Sequence, residues 1–491
     1  MIELGVIERD LIGPGKKNAM KRAIVIGAGP NGLSAAVVLA QAGLAVEVFE
    51  GESQAGGAAR TMALTLPGFQ HDFGSSVYPM GVGSPFFKSL PLGELGLQWI
   101  HGDAPLAHPL DDGTAVMLEH SSDDQEHQLG SDGRAWAALM RPVSNHWWDF
   151  AEDALRAPLH IPSHLYLMAR FGALAVQPAA VLARRFRTER ARALFAGIAG
   201  HSMLALNQPM SSAVALVLGA AATAVGWPVA KGGAQSIPDA LIRRLQQLGG
   251  VVHTSRRIAS LDDLDTRDAI VMCDLTPRQL LRIGGKRLSS AYRRALGRFR
   301  FGPGAFKIDY ALSEPIPWKA SECHRAPTVH LGGTFNEIAH AEYEVSKGRR
   351  AERPYVLLAQ PSLFDPLRAP ASKHTAWAYC HVPNGHSEDR TAQIEAQIER
   401  FAPGFRDCVL ARRVFAPADL ESMDANLVGG DVGGGALSMM QILFRPCIHG
   451  YRTGTPGLYL CSASTPPGGG VHGMCGFHAA QAALRDRERK H

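Results

Sequence analysis

The stretch from Arg22 to Glu50 constrains the fold more than any other part of the chain. Arg22-Ala23-Ile24-Val25-Ile26 is a continuous apolar run, the pattern of a strand buried on both faces of a parallel sheet. Gly27-Ala28-Gly29-Pro30-Asn31-Gly32 follows, a G-x-G-x-x-G. Leu33, Ala36, Val37 and Ala40 then recur on one face of a helix that Gly43 stops. Leu44 to Phe49 reads as a second strand and ends at Glu50, 18 positions after Gly32. A strand, a glycine turn, a helix, a strand and an acid at that distance make the first half of a dinucleotide-binding α/β unit. Gly27 admits the tight turn, Gly29 lets a pyrophosphate approach bare backbone, and Gly32 lets helix and strand pack closely. Pro30 and Asn31 lie inside the motif, where the free N–H groups of the helix start face phosphates. Glu50 is placed to accept hydrogen bonds from ribose hydroxyls. Its charge would repel a 2′-phosphate, which disfavours NADP.

The next segment, Gly51 to Arg60, carries a double glycine, Gly56-Gly57, with an arginine three positions later. The glycines allow an extended ligand to pass close to the backbone, and Arg60 can pair with phosphate. Near the other end, Gly457 to Cys461 reads as a strand, followed by a Gly-rich turn through Gly468-Gly469-Gly470-Val471-His472-Gly473 and a helix from Ala479 to Leu484. Between them, Pro228 to Thr254 reads as a helix and a strand, with Ile258 shortly after, and Asp268 to Asp274 as a further strand. These motifs resemble the amine oxidase and phytoene desaturase superfamily. Lys307 to Trp318, Val329 to Thr334 and Thr375 to Pro383 narrow the resemblance. They point to phytoene dehydrogenase-like NAD(P)/FAD-dependent oxidoreductases, in a branch typified by the pyridine nucleotide-disulfide oxidoreductase domain-containing proteins.

The resemblance implies FAD and an α/β fold. A discontinuous Rossmann-type FAD-binding domain would be built from 20–105, 228–285 and 425–491, and an α+β substrate domain from 106–227 and 286–424. It implies that Gly56, Gly57 and Arg60 run along the pyrophosphate and ribityl, and that Ile258 lies by the adenine. Ser464, Gly470, Val471 and Gly473 would lie by the flavin, where a helix N-terminus stabilises negative charge on the reduced ring. Many relatives carry an acid just after the last strand. Here the run is Ser462-Ala463-Ser464, so hydroxyls or backbone must supply that contact.

The expected activity is removal of hydride from a hydrophobic or amphipathic small molecule. No separate nicotinamide domain is read from the sequence, so reoxidation falls to oxygen, a quinone or another acceptor. A reduced-flavin isomerase and a flavoprotein acting as a scaffold are the alternatives. Flavin dehydrogenation needs positioning more than acid–base help. His472 is the one candidate catalytic residue, opposed by a backbone-bonding role. Trp377, Tyr379 and His381 alternate along a strand, so all three can share one face and form a substrate wall. His374, His381 and His386 have no carboxylate at ligand spacing, so no metal is expected.

Composition adds limits. The seven cysteines include no C-x-x-C pair, which favours a reducing, cytoplasmic setting over a disulfide scaffold. A formal charge of +5 does not call for nucleic acid. Residues 1–19 hold three acids and no signal-like apolar core, and read as a disordered extension. Ser211 to Val229 is apolar enough to mimic a membrane span, but Pro209 and Pro228 bracket it, and a buried helix beside the substrate cavity is expected. Arg184, Arg185, Arg187, Arg190 and Arg192 lie within nine residues. They form either a solvated helix face or a peripheral contact with anionic lipid or an acidic partner.

Overall fold

The computed structural model describes residues 21–489, so the extension expected at 1–19 lies outside it. The apolar runs of the sequence become a five-stranded parallel sheet in the order Leu458–Leu460, Ala269–Cys273, Arg22–Ile26, Ala45–Phe49, Val251–His253. The first strand is central, with Ile26 in register with Cys273 on one side and Phe49 on the other. The chain leaves this strand between two neighbours, and ligands bind at such a point, outside the carboxyl ends of the strands.

The helix Pro30–Gln41 starts there, with Gly29 before it and Pro30 at its first position. Ten of its residues are buried, because it lies between the sheet and two other helices, Ser236–Gln247 and Met474–Glu488. The C-terminal helix comes so close that a Cβ built on Gly476 would stand 1.8 Å from the Asn31 carbonyl oxygen. Only glycine fits that crossing.

The second sheet has seven strands in the order Val409–Phe415, Gly304–Leu312, His374–Val382, Val356–Ala359, Thr328–Leu331, Leu106–Pro109, Ala115–Leu118. It is antiparallel except where Thr328–Leu331 runs parallel to Leu106–Pro109. All nine residues of Gly304–Leu312 are buried. Residues 106–227 begin with a hairpin, Leu106–Pro109 and Ala115–Leu118, on the edge of this sheet. Its signal was the Asp112-Gly113 turn, where Gly113 has φ +81°.

The apolar segment after Pro209 is the helix Ser211–Ala224, whose Ala215, Leu216, Gly219 and Ala220 are buried. No single helix among the described residues is long and apolar enough to cross a membrane. One bent pair, Leu165–Ala175 and Ala179–Arg185 at 95°, has the length and composition together.

Candidate active site

A cavity of about 790 Å³ extends from the glycine turn to the inner face of the seven-stranded sheet. At the first end it is lined by Gly27, Gly29, Pro30, Asn31, Glu50, Gly57, Arg60 and Ile258. Backbone meets backbone here: a Cβ built on Gly57 would lie 3.2 Å from the Gly29 Cα. Arg60 is 4% exposed, and its guanidinium is held by Nε donating to the Gly57 carbonyl at 2.7 Å and Nη2 donating to the Met423 carbonyl at 2.8 Å. Nη1 makes neither bond. The Glu50 carboxylate accepts the Ala28 N–H at 2.8 Å and the Glu52 N–H at 2.9 Å, and each oxygen keeps a lone pair for a hydroxyl.

One carboxylate here was not anticipated. Asp274, just past the strand Ala269–Cys273, accepts the Gly32 N–H on Oδ2 at 2.9 Å. It therefore sits on the helix N-terminus that the motif reserves for phosphate. Burial pushes its carboxyl up to about 7, and Asp424 and Glu50 add to the rise against the pull of the Gly32 N–H.

At the far end the wall includes Leu218, Trp227, Thr328, Leu357, Leu358, Ala359, Trp377 and Tyr379. The rings of Trp377 and Tyr379 stack with centroids 5.6 Å apart. Lys307 also lines this end, although it is only 4% exposed, and it is ion-paired with the fully buried Asp309 two positions along the strand. Burial pushes Asp309 up to about 6 against the pull of Lys307. Beside it lies His71, which burial, Lys307 and Arg368 push down to about 3, so its ring is neutral. A second chain starts from Trp377, whose Nε1 donates to Ser76 Oγ at 2.6 Å. Ser76 donates in turn to Asp72, and Arg368 pairs with Asp72 at 2.7 Å. Burial alone would raise the Asp72 carboxyl, but Arg368 and the bonds from Ala234 and Ser76 outweigh it and hold it below the usual range. Two cations and two acids thus balance.

His201 completes the far wall. Its Nε2 and that of His330 share a hydrogen bond of 2.8 Å, and the Trp227 ring stands edge-on to it at 5.7 Å. Burial pushes His201 down to about 3 and His330 well below its ordinary value, so both rings are neutral.

Known proteins resemble this chain. Residues 25–90 match the family model described as an NAD(P)-binding Rossmann-like domain. The chain is 27% identical to pyridine nucleotide-disulfide oxidoreductase domain-containing protein 2 of Mus musculus, over 94% of its own length and 93% of that protein. It is 24% identical to the neurosporene-forming phytoene desaturase of Rhodobacter capsulatus, over 93% and 92%. A solved structure of an engineered putrescine oxidase superposes with a TM-score of 0.60 at 15% identity, covering 96% of this chain and 99% of that one. Over nearly its whole length the chain is similar to phytoene desaturase-like oxidoreductases, and it shares the fold of an amine oxidase.

Within that frame the residues read from sequence divide. Gly27, Gly29, Pro30, Asn31, Glu50, Gly57, Arg60, Ile258, Ser464, Gly470, Val471, Trp377 and Tyr379 all line the cavity. Gly32, Gly56, Gly473, His381 and His472 are not among its lining residues. Gly32 spends its N–H on Asp274, and Gly473 opens the C-terminal helix at φ +69°. His381 shares the face of Trp377 and Tyr379 but lies past the end of the cavity, hydrogen-bonded through Nδ1 to the buried Glu342 at 2.8 Å. His472 is 1% exposed and its Nδ1 accepts the Met474 N–H at 3.0 Å, while burial pushes the ring down to about 4. It holds the start of the helix and presents no base to the cavity. Lys307, Asp274 and His201 were not read from sequence as site residues. For Lys307 a signal existed: a lysine and an acid at i and i+2 inside an otherwise apolar strand must share one face and pair.

Proposed function

We propose that the protein is an FAD-dependent oxidoreductase that dehydrogenates a neutral, apolar or amphipathic small molecule. The observation that carries this reading is the continuity of the cavity from the glycine turn to the aromatic wall of the second sheet. A dinucleotide at one end and a small molecule at the other would meet inside one continuous space. The donor set suits FAD: bare backbone at Gly29 and Gly57, the Nη1 of Arg60, the lone pairs of Glu50, and Ser464, Gly470 and Val471 further along. When bound, FAD supplies the hydride acceptor.

The rest is done by the chain's own residues. Trp377 and Tyr379 offer stacked ring faces, and Leu218, Leu357 and Leu358 fill out a wall that excludes water. His201 has committed Nε2 to His330, which leaves Nδ1 to hydrogen-bond one polar group of the substrate. Lys307 is neutralised by Asp309, and Asp72 is spent on Arg368. No uncommitted carboxylate lines this end among the described residues, so no side-chain anion there is free to pair with an ammonium group. This favours carbon–carbon desaturation over oxidation of a charged amine.

The test is the visible spectrum of the purified protein before and after denaturation. Flavin bands that bleach with dithionite and a flavin released on unfolding are expected. A colourless protein that also takes up no added FAD would overturn the reading.

A further inference from the structure

We propose that the segment Leu159–Arg187 is a docking face for an anionic lipid bilayer. The helix Leu165–Ala175 is apolar on both sides. Met168, Phe171 and Leu174 face inward and pack on the core. The opposite side presents Leu165, Tyr166 and Val176, all exposed. Leu159 and Ile161 stand out from the loop before it, and Val181 from the helix after it. Ile161 is 92% exposed and Tyr166 79%, values that a folded chain does not give to large apolar side chains in a cluster without a use for them.

The segment itself carries formal charge of one sign. From Ala154 to Thr188 no residue is acidic, and Arg156, Arg170, Arg184, Arg185 and Arg187 are all exposed. None of the five forms an ion pair among the described residues. Of the cluster noted in the sequence, Arg190 and Arg192 are spent internally, donating to Thr114, the Ala115 carbonyl and the Phe186 carbonyl. Arg184, Arg185 and Arg187 remain free to meet phosphate.

Apolar side chains fringed by arginine suit a bilayer. The aliphatic groups and the Tyr166 ring enter the boundary between headgroup and acyl chain, and the guanidinium groups stay at the anionic surface. The 95° bend between Leu165–Ala175 and Ala179–Arg185 prevents a straight span and lets the pair lie along the surface. Nucleic acid or an acidic protein would use the arginines but would leave Ile161 and Leu165 in water. The helix Leu165–Ala175 packs on Ser211–Ala224, whose Leu218 lines the cavity, so the docked face is one helix away from the substrate end. The docking itself does not depend on the redox reading.

The experiment is co-sedimentation of the full chain with vesicles of phosphatidylcholine alone or mixed with phosphatidylglycerol. Binding to the anionic vesicles, at least tenfold stronger than to the neutral ones and weakened by high salt, is expected. Ile161→Glu with Tyr166→Glu should reduce that binding at least tenfold, as should Arg184→Glu with Arg185→Glu, with thermal unfolding unchanged because all four side chains are exposed. Failure to pellet with anionic vesicles overturns the proposal. So does binding that survives the Ile161 and Tyr166 substitutions, which would place the contact elsewhere. Retention on an acidic polymer such as heparin without vesicle binding also overturns it, in favour of an acidic macromolecule.

Discussion

Asp274→Asn is expected to tighten dinucleotide binding and to remove most of its dependence on pH above neutrality. The Asp274 carboxylate is 7% exposed and holds the N–H of Gly32, and a Cβ on Gly29 would lie 2.8 Å from its Oδ2. A pyrophosphate drawn to that helix start must share it with this oxygen. Asp424 and Glu50 add negative charge, while Arg60 is the cation that acts on Asp424. An ionised Asp274 therefore repels the ligand, and a protonated one does not. Because burial pushes the carboxyl up to about 7, the wild-type dissociation constant should climb about tenfold per pH unit above that point if only the protonated form binds. In the asparagine variant it should stay flat from pH 6 to 9, since the amide oxygen still accepts the Gly32 N–H. Flavin fluorescence titration reads this directly.

The apoprotein gives a second readout. A group whose folded value is raised contributes stability below its unfolded value and loses it as pH rises through the folded one. The wild type should therefore weaken between pH 4 and 8 relative to Asp274→Asn. From 3.8 to about 7, at about 1.4 kcal/mol per pH unit, the ceiling on that difference is about 4 kcal/mol. Urea unfolding at pH 4 and pH 8 measures it. A wild-type affinity that does not move with pH, or weaker binding by the variant, would mean that the pyrophosphate never approaches Asp274.

What could be read from sequence was what is local. Gly27, Gly29 and Gly32 are demanded by one turn, so their spacing announces the strand before and the helix after. Gly56, Gly57 and Arg60 lie within five residues of one another and were legible for the same reason. Trp377, Tyr379 and His381 were placed on one face by the two-residue period of a strand, and they share it, although the cavity stops before His381. The groups that went unread are joined only by folding. Asp274 meets Gly32 across 242 positions, and His201 meets His330 across 129. His472 drew attention by following a glycine turn, but burial and the Met474 N–H had already claimed its ring.

The group that joins the two sheets is the least legible and the most costly to break. Asp72 is fully buried, and four segments converge on it. Thr61 Oγ1 and the Ala234 N–H each donate at 2.8 Å from the dinucleotide side, Ser76 donates from the cavity wall, and Arg368 pairs at 2.7 Å from the segment before the strand His374–Val382. Arg368 is itself 1% exposed. Arg368→Met fills a similar volume but leaves the carboxylate buried without its cation, a loss that costs about 3–5 kcal/mol in other proteins. The pH response should also change sign. In the wild type Asp72 lies below its ordinary range, so its contribution is present near neutrality and is lost as pH falls into the acid range. In Arg368→Met burial prevails, the carboxyl rises, and the variant should gain stability relative to the wild type as pH falls from 7 to 5. Asp72→Asn with Arg368→Met removes both charges and should recover most of the loss. A Trp377 that depends on Ser76, and through it on Asp72, should then be held again, so the Michaelis constant for substrate should rise in the single variant and fall back in the double one. Urea unfolding at pH 5 and 7 separates these cases. A loss under about 1 kcal/mol at pH 7 would mean that the remaining hydrogen bonds hold Asp72 without the arginine.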